Sequence, residues 1–461
     1  MNPRRSRKQN PRAPSSRLAC GKPAGGNQES TSREGASSTP RLVEIEKPIY
    51  GGAFLARAEG KAVFVPLVLP GEQARVRIVE EKRGYATAEM EQAMATAPER
   101  VPAPCPHFGA CGGCQYQHAQ YEAQLRFKQA ILRETLERGG VRAPEEIAVL
   151  AARPWAYRNR IRLAFDAAGR PGYRGRRSHQ VIPIGECPIA APVLVKAALY
   201  FAQIARRLAP AFKPAEVSLF SDAEETALLV SVSAPRPQEI QLERAAHALR
   251  EKIPVLRGIQ LPAEDRRGGT PRGFAQWGQA SLAYRAARFD YRVDQGAFFQ
   301  VNRWLIDALV ERVAAGRNGA LAWDLFAGVG LFARRLTAGF DRVIAVESSP
   351  AAADALKYNL AGTRAAPVLS STLEFLRRHA GAGRPDLIVV DPPRTGLGAE
   401  TISLLAEIAA PALTYVSCDP ATLARDLRAL LAAGYGIGGV TLADLFPQTF
   451  HIETIADLRR L

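Results

Sequence analysis

Residues 321–330, LAWDLFAGVG, do more than any other stretch to limit what this 461-residue chain can fold into. An apolar run ends in Asp324-x-Phe326-x-Gly328-x-Gly330, and the LFARRLTAG that follows has helical character. A strand that turns through glycines straight into a helix opens a parallel α/β unit, and glycine lets the backbone approach a ligand closely. The next apolar run, DRVIAVESS, ends in Glu347, nineteen residues after Gly328. An acidic side chain at the end of a second strand can accept both ribose hydroxyls of a nucleoside. A turn built for a dinucleotide needs a third glycine to cradle the pyrophosphate, and that position holds Ala333. The pattern therefore points to a nucleoside cofactor and disfavours a dehydrogenase.

Two downstream segments carry chemistry onto the same sheet. PDLIVVDPPRTG (385–396) is a buried strand that exits extended through Asp391-Pro392-Pro393-Arg394 at the ligand-binding edge of an open α/β sheet. LTYVS then leads directly into Cys418, with Asp419 as a helix N-cap and Pro420 at the first helical position. Leu423, Leu427, Leu430 and Leu431 line one face of that helix. A thiol at a helix N-terminus is expected to have a depressed pKa and to favour the nucleophilic thiolate, with Asp419 opposing the effect in part. Beside a cofactor site, such a cysteine suggests covalent catalysis. The closing run FPQTFHIETIADLRR adds His451 and Glu453, a carboxylate in position to act as a general base.

Ahead of this region, residues 42–97 read as short alternating strands punctuated by Gly51-Gly52, Gly60, Pro70-Gly71 and Gly84. Such punctuation suggests a small β-barrel, with Val76 and Ile78 on its inner face. Barrels of this kind bind oligonucleotides or serve as structural modules, and pattern alone leaves both readings open. A helix is expected over about 118–139, ended by Gly139-Gly140, and EVSLFS with ETALLVSVSA reads as a hairpin-like pair. Residues 1–41 carry nine Lys/Arg against two Asp/Glu and are rich in Pro, Ser and Gly. They read as a disordered basic tail suited to attracting RNA without specificity. No run approaches the length and apolarity of a membrane span.

Cysteine placement says more than cysteine number. Six in 461 residues exclude a disulfide framework and suit the cytoplasm. Cys20 lies in the tail, while Cys105-x5-Cys111-x2-Cys114 with distant Cys187 supplies four thiolates. Four thiolates suit an iron–sulfur cluster or structural zinc, and spacing fits both. Between these ligands, RPWAYRNRIRLAF and GRPGYRGRRSHQVIPIG interleave Arg with Trp155, Tyr157 and Tyr173. Arginines that neutralise phosphates beside aromatic rings that stack on splayed bases form a candidate RNA track. The net charge of +16 supports a polyanionic partner.

The Asp-x-Phe-x-Gly-x-Gly turn resembles motif I of S-adenosylmethionine-dependent methyltransferases. Together with Asp391–Arg394, Ser417-Cys418-Asp419-Pro420 and His451-Ile452-Glu453, it resembles the RNA (uracil-5-)-methyltransferases. Gly51-Gly52, FVPLVLPGE (64–72) and CPHFGACGGCQYQH (105–118) resemble the TRAM domain and iron–sulfur segment of the 23S ribosomal RNA branch. The likeness runs from about residue 42 to 461. It implies a C-terminal α/β Rossmann-like methyltransferase domain (289–461), an N-terminal OB-like TRAM β-barrel (42–97) and an α+β central domain (98–288), with helix 118–139 able to pack on the catalytic domain. It further implies Cys418 as nucleophile, Glu453 as general base, and S-adenosylmethionine contacts from Gln300, Phe326, Gly328, Glu347 and Asp391. A [4Fe–4S] cluster on Cys105, Cys111, Cys114 and Cys187 would tie the loop near GECPIAAP to residues 105–114. Two departures stand out: Leu331 and Thr372 occupy positions where the resemblance leads one to expect Asn, so neither is assigned to the site. The expected substrate is 23S ribosomal RNA, with transfer RNA as the close alternative, handled by a monomer.

Overall fold

The computed structural model describes residues 40–262, 273–381 and 383–461. The basic tail, with Cys20, lies outside the described residues. Five strands come first: β1 Arg41–Pro48, β2 Ala53–Ala58, β3 Lys61–Pro66, β4 Gln73–Glu81 and β5 Tyr85–Ala95. They close into a barrel in the order β1-β2-β3-β5-β4. Strand β4 reads QARVRIVEE, and its alternation buries Ala74, Val76 and Ile78 while the charged residues between them face out. Buried Glu72 closes the barrel end by accepting the Leu69 and Ala97 amides and the Arg100 guanidinium.

Helix α1, Tyr121–Arg138, follows and stops at Gly139-Gly140. It is slightly shorter than the expected 118–139, because residues 116–119 form a turn against the barrel. Strand β6, Ala148–Leu150, comes next. A second sheet contains β7 Arg160–Phe165, β8 Pro171–Arg174, β9 Val181–Pro183, β10 Glu216–Ser221, β11 Leu228–Ser233, β12 Leu256–Pro262 and β13 Gly273–Gly278. Its order is β13-β12-β11-β10-β7-β8-β9, and helices α2, Pro192–Leu208, and α3, Leu242–Lys252, share its core. The expected hairpin is β10–β11, paired from Glu216–Ser233 to Ser221–Leu228. Hairpin β14–β15, Ser281–Ala286 and Phe289–Asp294, crosses residue 288 and buries Leu282, Tyr284, Tyr291 and Val293 in the C-terminal core.

The last unit alternates α4 Ile306–Ala314, β16 Gly319–Leu325, α5 Leu331–Leu336, β17 Phe340–Glu347, α6 Pro350–Leu360, β18 Ala365–Leu369, α7 Thr372–His379, β19 Leu387–Val390, α8 Ala399–Ile408, β20 Ala412–Ser417 and α9 Pro420–Ala432. Strands β21 Tyr435–Ala443 and β22 Glu453–Arg460 complete it. The sheet order is β18-β17-β16-β19-β20-β22-β21-β6. Strands β16 to β20 are parallel; β19 and β20 and the carboxyl halves of β16 and β17 are buried, as their apolar runs require, while edge strand β18 is largely half-buried. Strand β22 inserts antiparallel between β20 and β21. Strand β6 adds to the far edge in parallel with β21, and α1 packs with α9 in the same core, so the segment between barrel and central sheet is built into the C-terminal layer. Among the described residues no helix is long and apolar enough to cross a membrane.

Candidate active site

Sheet register gathers the candidate residues at one edge. Leu325 of β16 stands beside Val346 of β17 and Val390 of β19, so the next residues, Phe326, Glu347 and Asp391, leave the sheet together. Strand β20 ends at Ser417, opposite Thr454 of the antiparallel β22. The following step places Cys418 at the end of one strand and Glu453 at the start of the other, side by side on that edge. Parallel strands bind ligands at their carboxyl ends, and the inversion of β22 brings an amino end to the same place.

The thiol environment differs from the sequence expectation. Asp419 is the N-cap of α9, and its Oδ1 accepts the amides of Ala421 and Thr422. The free amides of the helix start are thereby satisfied by Asp419 and are not available to the cysteine. Burial pushes the Cys418 thiol up to about 11, helped by the negative charges of Glu453 and Asp391; Arg394 draws it back down. Burial also raises the Asp391 carboxyl to about 7. Glu453 is driven well above the usual carboxylate range by burial and by Asp391 beside it, with Arg394 opposing. The two carboxyls resist ionising together, so the pair favours sharing a proton.

Two residues close this edge that the sequence reading left unassigned. Arg394 lies 3.4 Å from the His451 ring through its Nη2, and its charge with burial lowers His451 to about 4, leaving a neutral ring. Tyr50 reaches across from the turn between β1 and β2. Its hydroxyl donates to Asp419 Oδ2 at 3.4 Å and its ring meets Phe450 edge-on at 5.6 Å. Gly52 permits this approach: its φ is +87°, and a Cβ there would stand 2.6 Å from Gln115. No local pattern links positions 369 residues apart; only the glycine pair signalled a tight turn.

Next to Cys418's edge lies a cleft lined by Phe298, Gln300, Phe326, Gly328, Leu331 and Asp391, among others. Its enclosed part measures about 40 Å³, and the remainder opens past Phe298, which is 66% exposed. Phe326 has a φ of +67°, and Gly330 combines a φ of +91° with a Cβ position only 2.9 Å from Leu356. A Cβ on Gly328, by contrast, would meet nothing within 4 Å. That residue borders free space, as a cofactor cradle should. Glu347 accepts the Gly328 amide at 2.8 Å and the Ser349 amide at 2.6 Å, which fixes the carboxylate while leaving further lone pairs for hydroxyl donors. Asp324 is fully buried; Oδ2 accepts the Ala333 amide, Oδ1 has no partner, and the carboxyl is raised to about 8 by burial. Buried Gln300 is anchored through its carbonyl by Asn159 Nδ2 at 3.0 Å. Leu331 lines the cleft with an apolar side chain, whereas Thr372 is a buried residue at the start of α7.

Cys105, Cys111, Cys114 and Cys187 line one cavity of about 140 Å³, together with Arg158, Tyr173 and others. All four thiols are unpaired. Burial raises Cys111 and Cys187 and pushes Cys114 up to about 12, and each thiolate opposes its neighbours. Among the described residues no group of three or more His, Cys, Asp or Glu is arranged to hold a metal ion.

Comparison with known proteins then decides the family. A tRNA (Uracil-5-)-methyltransferase model matches residues 384–460, and a TRAM domain model matches residues 40–90. A 23S rRNA (uracil(1939)-C(5))-methyltransferase RlmD from Pseudomonas putida is 33% identical over 94% of this chain and 96% of its own length. The RlmD of Chromohalobacter salexigens is 32% identical over 94% and 93%. The chain belongs to the RNA (uracil-5-)-methyltransferase family. An uncharacterized RNA methyltransferase of Streptomyces avermitilis is 34% identical over 90% of this chain and 97% of its own. The fold of this methyltransferase matches the Pyrococcus abyssi tRNA (uracil-54, C5)-methyltransferase, solved with S-adenosyl-L-homocysteine, at a TM-score of 0.73 and 23% identity over 90% of this chain and 100% of that one. The barrel is accordingly a TRAM domain, and the C-terminal layer is a Rossmann-like methyltransferase domain.

Proposed function

We propose that this methyltransferase transfers the methyl group of S-adenosylmethionine to C5 of a uridine in 23S ribosomal RNA, acting in the cytoplasm. The observation that carries the chemistry is the juxtaposition of Cys418 and Glu453 by the β20–β22 register, next to the glycine-turn cleft. Similarity to two RlmD enzymes supports the ribosomal target.

C5 of uracil is a poor nucleophile. Addition of the Cys418 thiolate to C6 moves the electron pair of the C5–C6 bond into an enolate. C5 then takes the methyl group as its bond to the donor's sulfonium sulfur breaks and S-adenosylhomocysteine leaves; Phe326, Gly328 and Glu347 would hold that donor. Glu453 removes the C5 proton, the Cys418–C6 bond breaks, and the thiolate is regenerated. Arg394 favours both anionic forms, Cys418 and Glu453, against the burial that opposes them. A uridine stacked in a helix hides C6, so the target must be unpaired or flipped out. The donor supplies only the electrophilic methyl group; Glu347 suits its ribose hydroxyls, and Gln300, Phe326 and Asp391 wall the cleft.

We further infer that Cys105, Cys111, Cys114 and Cys187 hold a [4Fe–4S] cluster; what supports this is that the four thiols line one cavity, a donor set that suits such a cluster or structural zinc. A cluster held there would fasten residues 105–114 to the loop at Cys187. Anaerobic purification with metal analysis tests this: iron with sulfide absorbance is expected, and zinc without iron would overturn it.

Mapping 5-methyluridine in ribosomal and transfer RNA from a strain lacking the gene tests the function. One position should lose its methyl group in 23S ribosomal RNA and regain it with the wild-type gene, not with Cys418→Ala. Loss confined to transfer RNA would reassign the substrate.

A further inference from the structure

A further cleft among the described residues borders the four-thiol cavity, with which it shares Gln117. It encloses about 470 Å³ between the segment after the barrel (Val101, Pro102, Pro104), the start of α1 (Ala119, Gln120, Tyr121), Trp155, Pro188 and Gln448. That volume falls within the range of small-molecule sites. Prolines stiffen its walls and Tyr121 and Trp155 line it; of its three glutamines, Gln117 Oε1 already accepts the Cys105 amide and Gln120 Nε2 donates to the Pro98 carbonyl, which leaves Gln448. No charged side chain lines it.

One cation lies close to it, on the Trp155 side. Arg153, two residues from Trp155, is exposed and makes no ion pair among the described residues. Its guanidinium lies over Trp304 at 5.3 Å, and the Trp304 indole N–H donates to the Trp155 carbonyl at 3.0 Å. A neutral cleft with aromatic walls and amide groups, bordered by a cation, suits a planar neutral group attached to an anionic backbone. Nucleobases meet that description, and unstacked bases are held by aromatic side chains and polar edges.

The cleft is also tied to the catalytic strand. Gln448, five residues before Glu453, has a φ of +69° and is 2% exposed. Its carbonyl accepts the Gln115 and Tyr116 amides, its amide donates to Gln124 Oε1, and its Oε1 accepts Gln124 Nε2. The Gln448 Nε2 has no partner among the described residues, which leaves a donor for a ligand. These bonds fix one wall of the cleft to the loop that leads into β22.

We propose that the Trp155–Gln448 cleft binds a second, unpaired nucleobase of the substrate RNA and sets which uridine reaches Cys418; this rests on RNA being the substrate. The test uses the full chain with S-adenosylhomocysteine and a ribosomal RNA hairpin containing the methylated uridine, and measures affinity by filter binding at one salt concentration. A series of hairpins carries a single abasic site at each loop and flanking position. Trp155→Ala should weaken binding of the intact hairpin roughly tenfold, and Trp155→Phe much less. One abasic position should weaken the wild type by a similar factor and cost Trp155→Ala nothing more. Retained S-adenosylhomocysteine binding reports that each variant is folded. Equal affinity of Trp155→Ala and wild type, or abasic costs that add independently to Trp155→Ala at every position, would overturn the proposal; the former is also the result expected if a protein partner occupies the cleft. Methylation is not the readout, so a hairpin bound in the manner predicted and never methylated would count against the proposed reaction and for this site.

Discussion

At the residue scale, the geometry separates two roles that both end in loss of turnover. Cys418→Ala should bind S-adenosylmethionine and fail to form any bond to RNA. Glu453→Gln leaves the nucleophile in place and removes the proton acceptor, so methylated RNA should accumulate joined to the protein, visible as a slow-migrating band on a denaturing gel. A Glu453→Gln enzyme with normal turnover and no adduct would remove Glu453 from the base role. The raised groups also set opposite pH trends for rate and stability. A thiol near 11 makes the thiolate scarce at neutral pH, so kcat/KM should climb about tenfold per unit between pH 7 and 9. A plateau below pH 8 would contradict this. Asp324, Asp391 and Glu453 titrate higher folded than their unfolded values of about 4. Their protonated forms stabilise the fold fully below about pH 4, and that contribution is lost as pH rises through about 7 for Asp391 and about 8 for Asp324, with Glu453 acting in the same direction. Thermal denaturation should therefore show Tm falling from pH 5 to 8, with a shallower fall in Asp391→Asn.

At the scale of elements, strand–turn units were legible because each is written locally. Asp391, Cys418 and the Gly328 turn sit directly after apolar runs, so strand ends place them without knowledge of the rest. The depressed thiol pKa expected at Cys418 was not met, because burial and the neighbouring Glu453 and Asp391 carboxyls, none of them adjacent in sequence, push the thiol up. Long-range partners were not legible for a different reason: a polar residue in an amphipathic helix normally faces water. Lys128 is instead fully buried on α1. Its ammonium donates to Asp444 at 2.5 Å and to the Phe446 carbonyl at 2.9 Å, and Tyr121 donates to the same carboxylate at 2.8 Å. This network holds the loop from β21 toward His451 and Glu453 against α1. Lys128→Met leaves Asp444 charged and without its ammonium, which should cost about 3–5 kcal/mol in chemical denaturation. Replacing both residues with apolar ones of similar size should cost less than the single change. Equal stability of Lys128→Met and wild type would mean the pair does not hold the loop.

At the scale of the whole molecule, charge divides between the tail and the folded chain. Residues 1–39 contain eight Lys/Arg and two Asp/Glu, a net charge of +6. Their removal should weaken RNA binding chiefly at low salt and flatten the dependence of affinity on salt concentration, because fewer counterions are released. An unchanged slope would exclude the tail from RNA contact. The N-terminal barrel was legible from turn signals, whereas its docking on the catalytic edge was not, since that rests on single residues such as Tyr50 and Gly52 that meet distant partners.

The insertion of β22 between β20 and β21 also bears on how the protein is made. Both neighbours leave the ribosome first, and until β22 follows, each presents an open hydrogen-bonding edge beside a buried apolar face. Glu453 opens that late strand. A nascent chain interrupted before it therefore lacks both the proposed base and the strand that seals the sheet, so such fragments are expected to associate through the open edge and to be inactive.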